Sequence, residues 1–131
     1  MSEFNIREWY GRYVDVINAH QWDRIGEFMA DTIVSHGETV TREQGVAAFA
    51  SITDAMPDYR VELRELTISG DSVGSHAITR GTPVKEWLGV AATGQPIEID
   101  EVTVYKVRDG KFVQMSNVWD VEALKSQLAA R

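Results

Sequence analysis

Ile97-Glu98-Ile99-Asp100-Glu101-Val102-Thr103-Val104-Tyr105-Lys106-Val107, then Arg108-Asp109-Gly110, then Lys111-Phe112-Val113-Gln114-Met115-Ser116-Asn117-Val118-Trp119, is the stretch that decides the fold. Both flanks are rich in β-branched and aromatic residues, and Asp109-Gly110 supplies the positive-φ pair of a tight hairpin turn. Two strands over 97–107 and 111–119 follow. Upstream, Tyr59 to Ile68 and Ser72 to Thr82 read the same way, joined at Gly70-Asp71. The result is a four-strand meander. Two of its strands change phase. Val61 and Leu63 share one parity, Leu66 and Ile68 the other, and Ile97 and Ile99 give way to Val102 and Val104. One inserted residue produces such a shift, so bulges are expected near Glu65 and near Asp100-Glu101.

Outside the meander the spacing is helical. Phe4, Ile6, Trp9, Tyr10, Tyr13, Val14 and Ile17 form one apolar stripe, ending at Asn18-Ala19-His20. Trp22, Ile25, Phe28 and Met29 form a shorter one. Ile33 and Val34 read as a brief extended piece before the polar turn His36-Gly37-Glu38. Thr41 opens a third helix, with Gln44 placed to complete a capping box, and Pro57 stops it. Val121 to Ala130 returns to helical spacing through Val121, Leu124 and Leu128. The expected fold is α+β: a strongly bent mixed or antiparallel sheet wrapped around helices, with an internal cavity, as a single domain over 1–131. The segment 83–96 is the long irregular connection. Its Trp87, Leu88 and Val90 suit a cover over something apolar.

Composition narrows the function. The chain has 131 residues, 44% of them hydrophobic, a net charge of −7 and no cysteine. Disulfides, cysteine-ligated zinc and thiol chemistry are excluded. The acidic balance, with Lys and Arg scattered singly, argues against nucleic-acid or anionic-membrane partners. No apolar run approaches the roughly 18 residues of a spanning helix, and the cytoplasm is the expected location. There is no phosphate loop, zinc-peptidase pair or nucleophile elbow. With His20, His36 and His76 as the three histidines, a multi-histidine metal site is not expected.

The candidate residues are therefore acids and histidines near a cavity. Asp120 follows Val118-Trp119 and precedes the last helix, so it is either the helix N-cap or a desolvated base at a strand end. Asp100 and Glu101 must face opposite ways. A bulge there would send one carboxylate inward, and Asp100 is the candidate. His76 lies mid-strand and either face suits it; His36 is a cavity donor or a surface turn residue. Tyr13, Phe49, Trp87, Met115, Asn117 and Trp119 are candidate lining residues for an apolar small molecule, with Asn117 a donor to a substrate oxygen.

These segments together resemble one family. Phe28-Met29-Ala30-Asp31-Thr32-Ile33-Val34-Ser35-His36-Gly37 is similar to the helix-then-"H-G" segment of SnoaL-like polyketide cyclases. Ala55 to Val61 resembles the family's "FPD" segment, and Gly70-Asp71-Ser72-Val73 its "GD-x-V" hairpin. Arg80-Gly81-Thr82, Trp87-Leu88-Gly89 and Ala92 to Pro96 resemble its "R-G-T … F-x-G … P-T-G-R" connection. Arg108 to Val113 and Asn117 to Asp120 resemble its "edGkI" turn and "W-D" ending. The resemblance implies a cone-shaped, barrel-like fold of the nuclear-transport-factor-2-like superfamily, and homodimers formed through the open sheet face. It implies intramolecular aldol ring closure of a polyketide ester by an aspartate base, with no cofactor. Asp120 matches the acid of the "W-D" ending. Gln114-Met115-Ser116 stands where many members read "E-H-W", and Pro83 where many have histidine. Those departures shift weight to His36, His76 and Asp100. A ketosteroid-isomerase-like proton shuttle uses the same parts. An epoxide hydrolase of the superfamily needs an Asp-Arg-Asp set, for which Arg80 is the arginine available. A non-catalytic binding or dimerisation module is the remaining alternative.

Overall fold

A computed structural model describes residues 5–129; Phe4 and Ala130, counted above in the terminal helices, lie outside the described residues. In chain order the elements are α1 (Ile6–Asn18), α2 (Trp22–Ile25) running into a 3₁₀ turn at Gly26–Phe28, β1 (Met29–Ser35), β2 (Glu38–Thr41) and α3 (Arg42–Ala55). Then come β3 (Arg60–Ser69), β4 (Ser72–Gly81), β5 (Ile97–Arg108), β6 (Lys111–Trp119) and α4 (Val121–Gln127). The six strands form one open sheet in the order β2-β1-β6-β5-β4-β3. Only the β1–β6 pair is parallel. No helix among the described residues is long and apolar enough to cross a membrane.

Local chemistry explains the joints. Asp109 and Gly110 both adopt positive φ, 52° and 72°, as the tight β5–β6 turn requires. Thr41 Oγ1 accepts from the Gln44 amide at 3.1 Å, and Gln44 Oε1 accepts from the Thr41 amide at 2.8 Å, closing the capping box. After Pro57, Asp58 Oδ1 accepts from the Thr82 amide at 2.7 Å, tying the turn to the end of β4. Asn18, the last residue of α1, exchanges two hydrogen bonds with the Val61 backbone, at 2.9 and 2.7 Å. That clamp holds α1 across the concave side of β3. The helix buries Trp9, Tyr10, Tyr13, Val16 and Ile17 on this side. Its rings meet Phe112 of β6, with centroids at 4.5 Å from Trp9 and 4.8 Å from Tyr13.

Two features differ from the sequence expectation and one agrees with it. The residues after His36-Gly37 form the strand β2, because the two-residue turn with φ of 52° and 84° returns the chain alongside β1. The bulge near Glu65 is present: Leu63 pairs Ala77 while Glu65 pairs His76, leaving Arg64 as the extra residue. The bulge near Asp100-Glu101 is not. β5 stays in unbroken register with β4 from Ile97 to Lys106, and its burial alternates strictly along its length. Val102 and Val104 therefore face outward, 53% and 51% exposed. The irregularity falls on β6 instead, where Lys106 pairs Gln114 and Val107 pairs Phe112, leaving Val113 as the extra residue.

Candidate active site

The bent sheet and the helices on its concave side leave a cavity of about 400 Å³, within the usual range for a small-molecule site. Its wall includes Tyr13 of α1, Phe49 of α3, Met115, Asn117 and Trp119 of β6, and Trp87 from the 83–96 segment. Trp87 and Val90 exchange backbone hydrogen bonds at 3.0 and 2.9 Å around a Leu88-Gly89 turn. Both turn residues have positive φ, 52° and 79°, so the connection has a defined shape. It seats Trp87 edge-on against Trp119, centroids 5.1 Å apart, and brings Leu88 to the cavity.

The inward parity of β5 is Ile97, Ile99, Glu101, Thr103, Tyr105 and Val107. Among the described residues Glu101 is consequently the single carboxylate of the cavity wall, 9% exposed, and no Lys or Arg accompanies it there. Asn117 Nδ2 donates to Glu101 Oε2 at 2.9 Å, and the Thr79 hydroxyl donates to Oε1 at 3.3 Å. Trp119 Nε1 in turn donates to Thr79 Oγ1 at 3.0 Å. That bond turns the one Thr79 proton toward Glu101. Burial pushes the Glu101 carboxyl above the usual carboxylate range; the Asn117 and Thr79 bonds pull it partly back. A desolvated carboxylate held by two donors beside an apolar space is chemically able to serve as a general base.

The structure separates the residues singled out from sequence. Asp100 points to the convex face, where His76 Nε2 meets its Oδ1 at 2.7 Å and both side chains are about half exposed. Neither enters the cavity. The strict β5 alternation sends Asp100 out because it sends Glu101 in. Asp120 is an exposed N-cap: its Oδ1 accepts from the Ala123 amide at 3.0 Å, which turns it away from the cavity. Arg80 also lies on the convex face, paired with Glu62 at 2.6 Å and Glu98 at 2.8 Å. No Asp-Arg-Asp set forms around it. His36, in the β1–β2 turn, borders the cavity, with Nε2 3.0 Å from the Asn117 carbonyl oxygen. It stands beside the backbone of the residue that holds Glu101.

A sequence profile of the SnoaL-like polyketide cyclases matches residues 7–128. The chain belongs to this family. Its fold is shared with a SnoaL-like polyketide cyclase from Agrobacterium tumefaciens, at a TM-score of 0.90 and 20% identity, covering 97% of this chain and 100% of that one. TsrD from Streptomyces laurentii superposes with a TM-score of 0.86 at 19% identity, over 98% of this chain and 100% of TsrD. IdmH from Streptomyces antibioticus gives 0.84 at 22% identity, over 97% and 100%. At these identities the likeness is one of fold, helices packed on one open six-stranded sheet. No curated protein matches the chain by sequence. Within the SnoaL-like frame, the residues that sequence reasoning overlooked are Thr79, Tyr10, Ser75 and Thr103. Glu101 was paired with Asp100 and passed over. Tyr105, an aromatic on the parity of Ile97 and Ile99, was the signal that this parity continues inward.

Proposed function

We propose that this SnoaL-like chain is an enzyme of cofactor-independent acid–base chemistry, a ring-closing cyclase with Glu101 as its base. The observation that carries the reading is the single desolvated carboxylate in the cavity wall, held by Asn117 and Thr79. The substrate class is an apolar, flat molecule with an acidified C–H beside a carbonyl. Glu101 takes that proton, and the C–H electron pair becomes the enolate. The enolate carbon then attacks a second carbonyl of the same molecule, forming the carbon–carbon bond. The resulting alkoxide recovers the proton from Glu101, so the carboxylate is regenerated. Tyr13, Phe49, Trp87, Met115, Asn117 and Trp119 are the proposed substrate contacts. An aromatic wall that folds the chain back on itself lowers the entropic part of the ring-closing barrier. His36 is proposed to act at the rim, through the backbone of Asn117.

The same family reading proposes a homodimer. Support comes from the convex face, where Val102 and Val118 are directly paired across strands and are 53% and 71% exposed. An apolar patch of this kind on a sheet face marks an interaction surface.

The test uses a surrogate carbon acid. 2-Tetralone in D₂O exchanges the protons next to its carbonyl, and NMR follows their loss. The wild-type chain is expected to accelerate exchange above buffer, and Glu101→Gln to lose roughly 100-fold or more of that acceleration. No acceleration by the wild type, or equal rates in both, overturns the reading.

A further inference from the structure

A second polar station lies in the same wall, separate from Glu101. Tyr10 Oη lies 3.0 Å from Ser75 Oγ, and Ser75 Oγ is in turn hydrogen-bonded to Thr103 Oγ1. Each hydroxyl has one proton to donate. Three hydroxyls joined by two hydrogen bonds therefore leave one proton uncommitted, whichever atoms donate. Tyr13 adds another. Its buried hydroxyl makes no well-formed hydrogen bond; its polar neighbour is the Tyr105 phenol. A buried polar group without a partner is costly, and natural sites keep one where a ligand satisfies it. Burial also raises the Tyr10, Tyr13 and Tyr105 phenols above their ordinary value, the last two well above it, so they stand as neutral donors.

Nothing in this station is charged, and none of its side chains carries a carbonyl or carboxylate to accept those protons. Its complement is an oxygen with lone pairs: a carbonyl or a phenol. Thr103 follows Glu101 by two residues on the inward face of β5, which places the stations roughly 6–7 Å apart along the strand. That is about the span of one six-membered ring with its substituents.

We infer that Tyr13, with the Tyr10–Ser75–Thr103 hydroxyl chain, anchors a remote oxygen of the ligand about one ring away from the carbon that faces Glu101. The ligand class is thereby narrowed to flat molecules oxygenated at both ends of a ring, and Tyr13 becomes a residue that selects which carbon meets the base. This rests on the reading of Glu101 as the base.

The experiment compares 2-tetralone with 6-hydroxy-2-tetralone, which adds an oxygen across the fused ring. Binding is measured by calorimetry with the full chain. One added hydrogen-bonded oxygen in a buried site gives the wild type a preference of about tenfold for the hydroxylated probe. Tyr13→Phe is expected to bring that ratio close to one. Ser75→Ala, a smaller change that serves if Tyr13→Phe fails to fold, is expected to lower it severalfold. Equal affinities in the wild type, or a tenfold ratio retained in both variants, overturns the anchor. Glu101→Gln separates the two readings: it should keep the binding ratio while losing deuterium exchange. Exchange retained in Glu101→Gln sinks the base but not the anchor, and a ratio of one in the wild type sinks the anchor but not the base.

Discussion

Asp100 and Glu101 are neighbours in the chain and lie on opposite faces of the sheet. Asp100 pairs with His76 in solvent, whereas Glu101 sits in the cavity with Asn117 and Thr79 as donors. One peptide bond separates a screened surface carboxylate from a desolvated one, and the difference in environment sets their chemistry.

That burial has a cost in stability that can be read against pH. The folded Glu101 holds its proton to a higher pH than the unfolded chain does. Between those two values the folded state binds more protons, so stability falls as pH rises through the window. It is fully present at lower pH. Glu101→Gln has no proton to lose there. Its melting temperature should exceed that of the wild type at pH 8, and the gap should close as the pH is lowered toward the ordinary carboxylate range. A gap independent of pH would show that the carboxylate is not desolvated in the folded chain.

The donors tune the same group. Asn117→Leu removes the stronger of the two bonds that favour the charged form, so the Glu101 carboxyl should move further up. The base-dependent limb of the deuterium-exchange profile should shift to higher pH. Thr79→Val removes the longer, 3.3 Å bond and should shift the limb less, in the same direction. A pH profile that both variants leave in place would detach these residues from the base.

Much of this was legible in the chain itself, for reasons tied to single residues. Asp109-Gly110 has one favourable backbone use, and Thr41 with Gln44 another, so the β5–β6 turn and the start of α3 follow from local chemistry. The interior acid was not legible in the same way. Val102 and Val104 carry as much hydrophobicity as Ile97 and Ile99, and period-two reasoning assumes that the apolar face is the buried one. Here the convex face carries valines among its charges, so parity alone points both ways. Asp120 was ambiguous for another reason. A strand end and a helix N-cap occupy the same position, and only the 3.0 Å bond from the Ala123 amide decides between them.

As an N-cap, Asp120 is expected to act on stability. Asp120→Ala removes an N-cap and should destabilise the chain by about 1 kcal/mol. Deuterium exchange per folded molecule should stay at the wild-type rate. Circular-dichroism melts and the NMR exchange assay at 20 °C or below, where both chains are folded, check the two halves. A loss of exchange beyond the fraction unfolded would return Asp120 to the chemistry.

The convex face carries the last prediction. Val102 and Val118 pair directly across β5 and β6, and Val104 lies two residues along on the same face. All three are at least half exposed, on a face that otherwise bears His76, Asp100 and Arg80. Two such faces packed together would bury the valines and leave the ion pairs at a polar rim, the usual anatomy of an interface. Light scattering should therefore give the mass of a dimer for the wild type. Val118→Glu sets a carboxylate in the middle of the patch, and a twofold arrangement would bring two of them together. The variant should run as a monomer, with its cavity intact and 2-tetralone still bound. A wild-type monomer at tens of micromolar, or a Val118→Glu dimer as tight as the wild type, would show that these valines face solvent in the working protein.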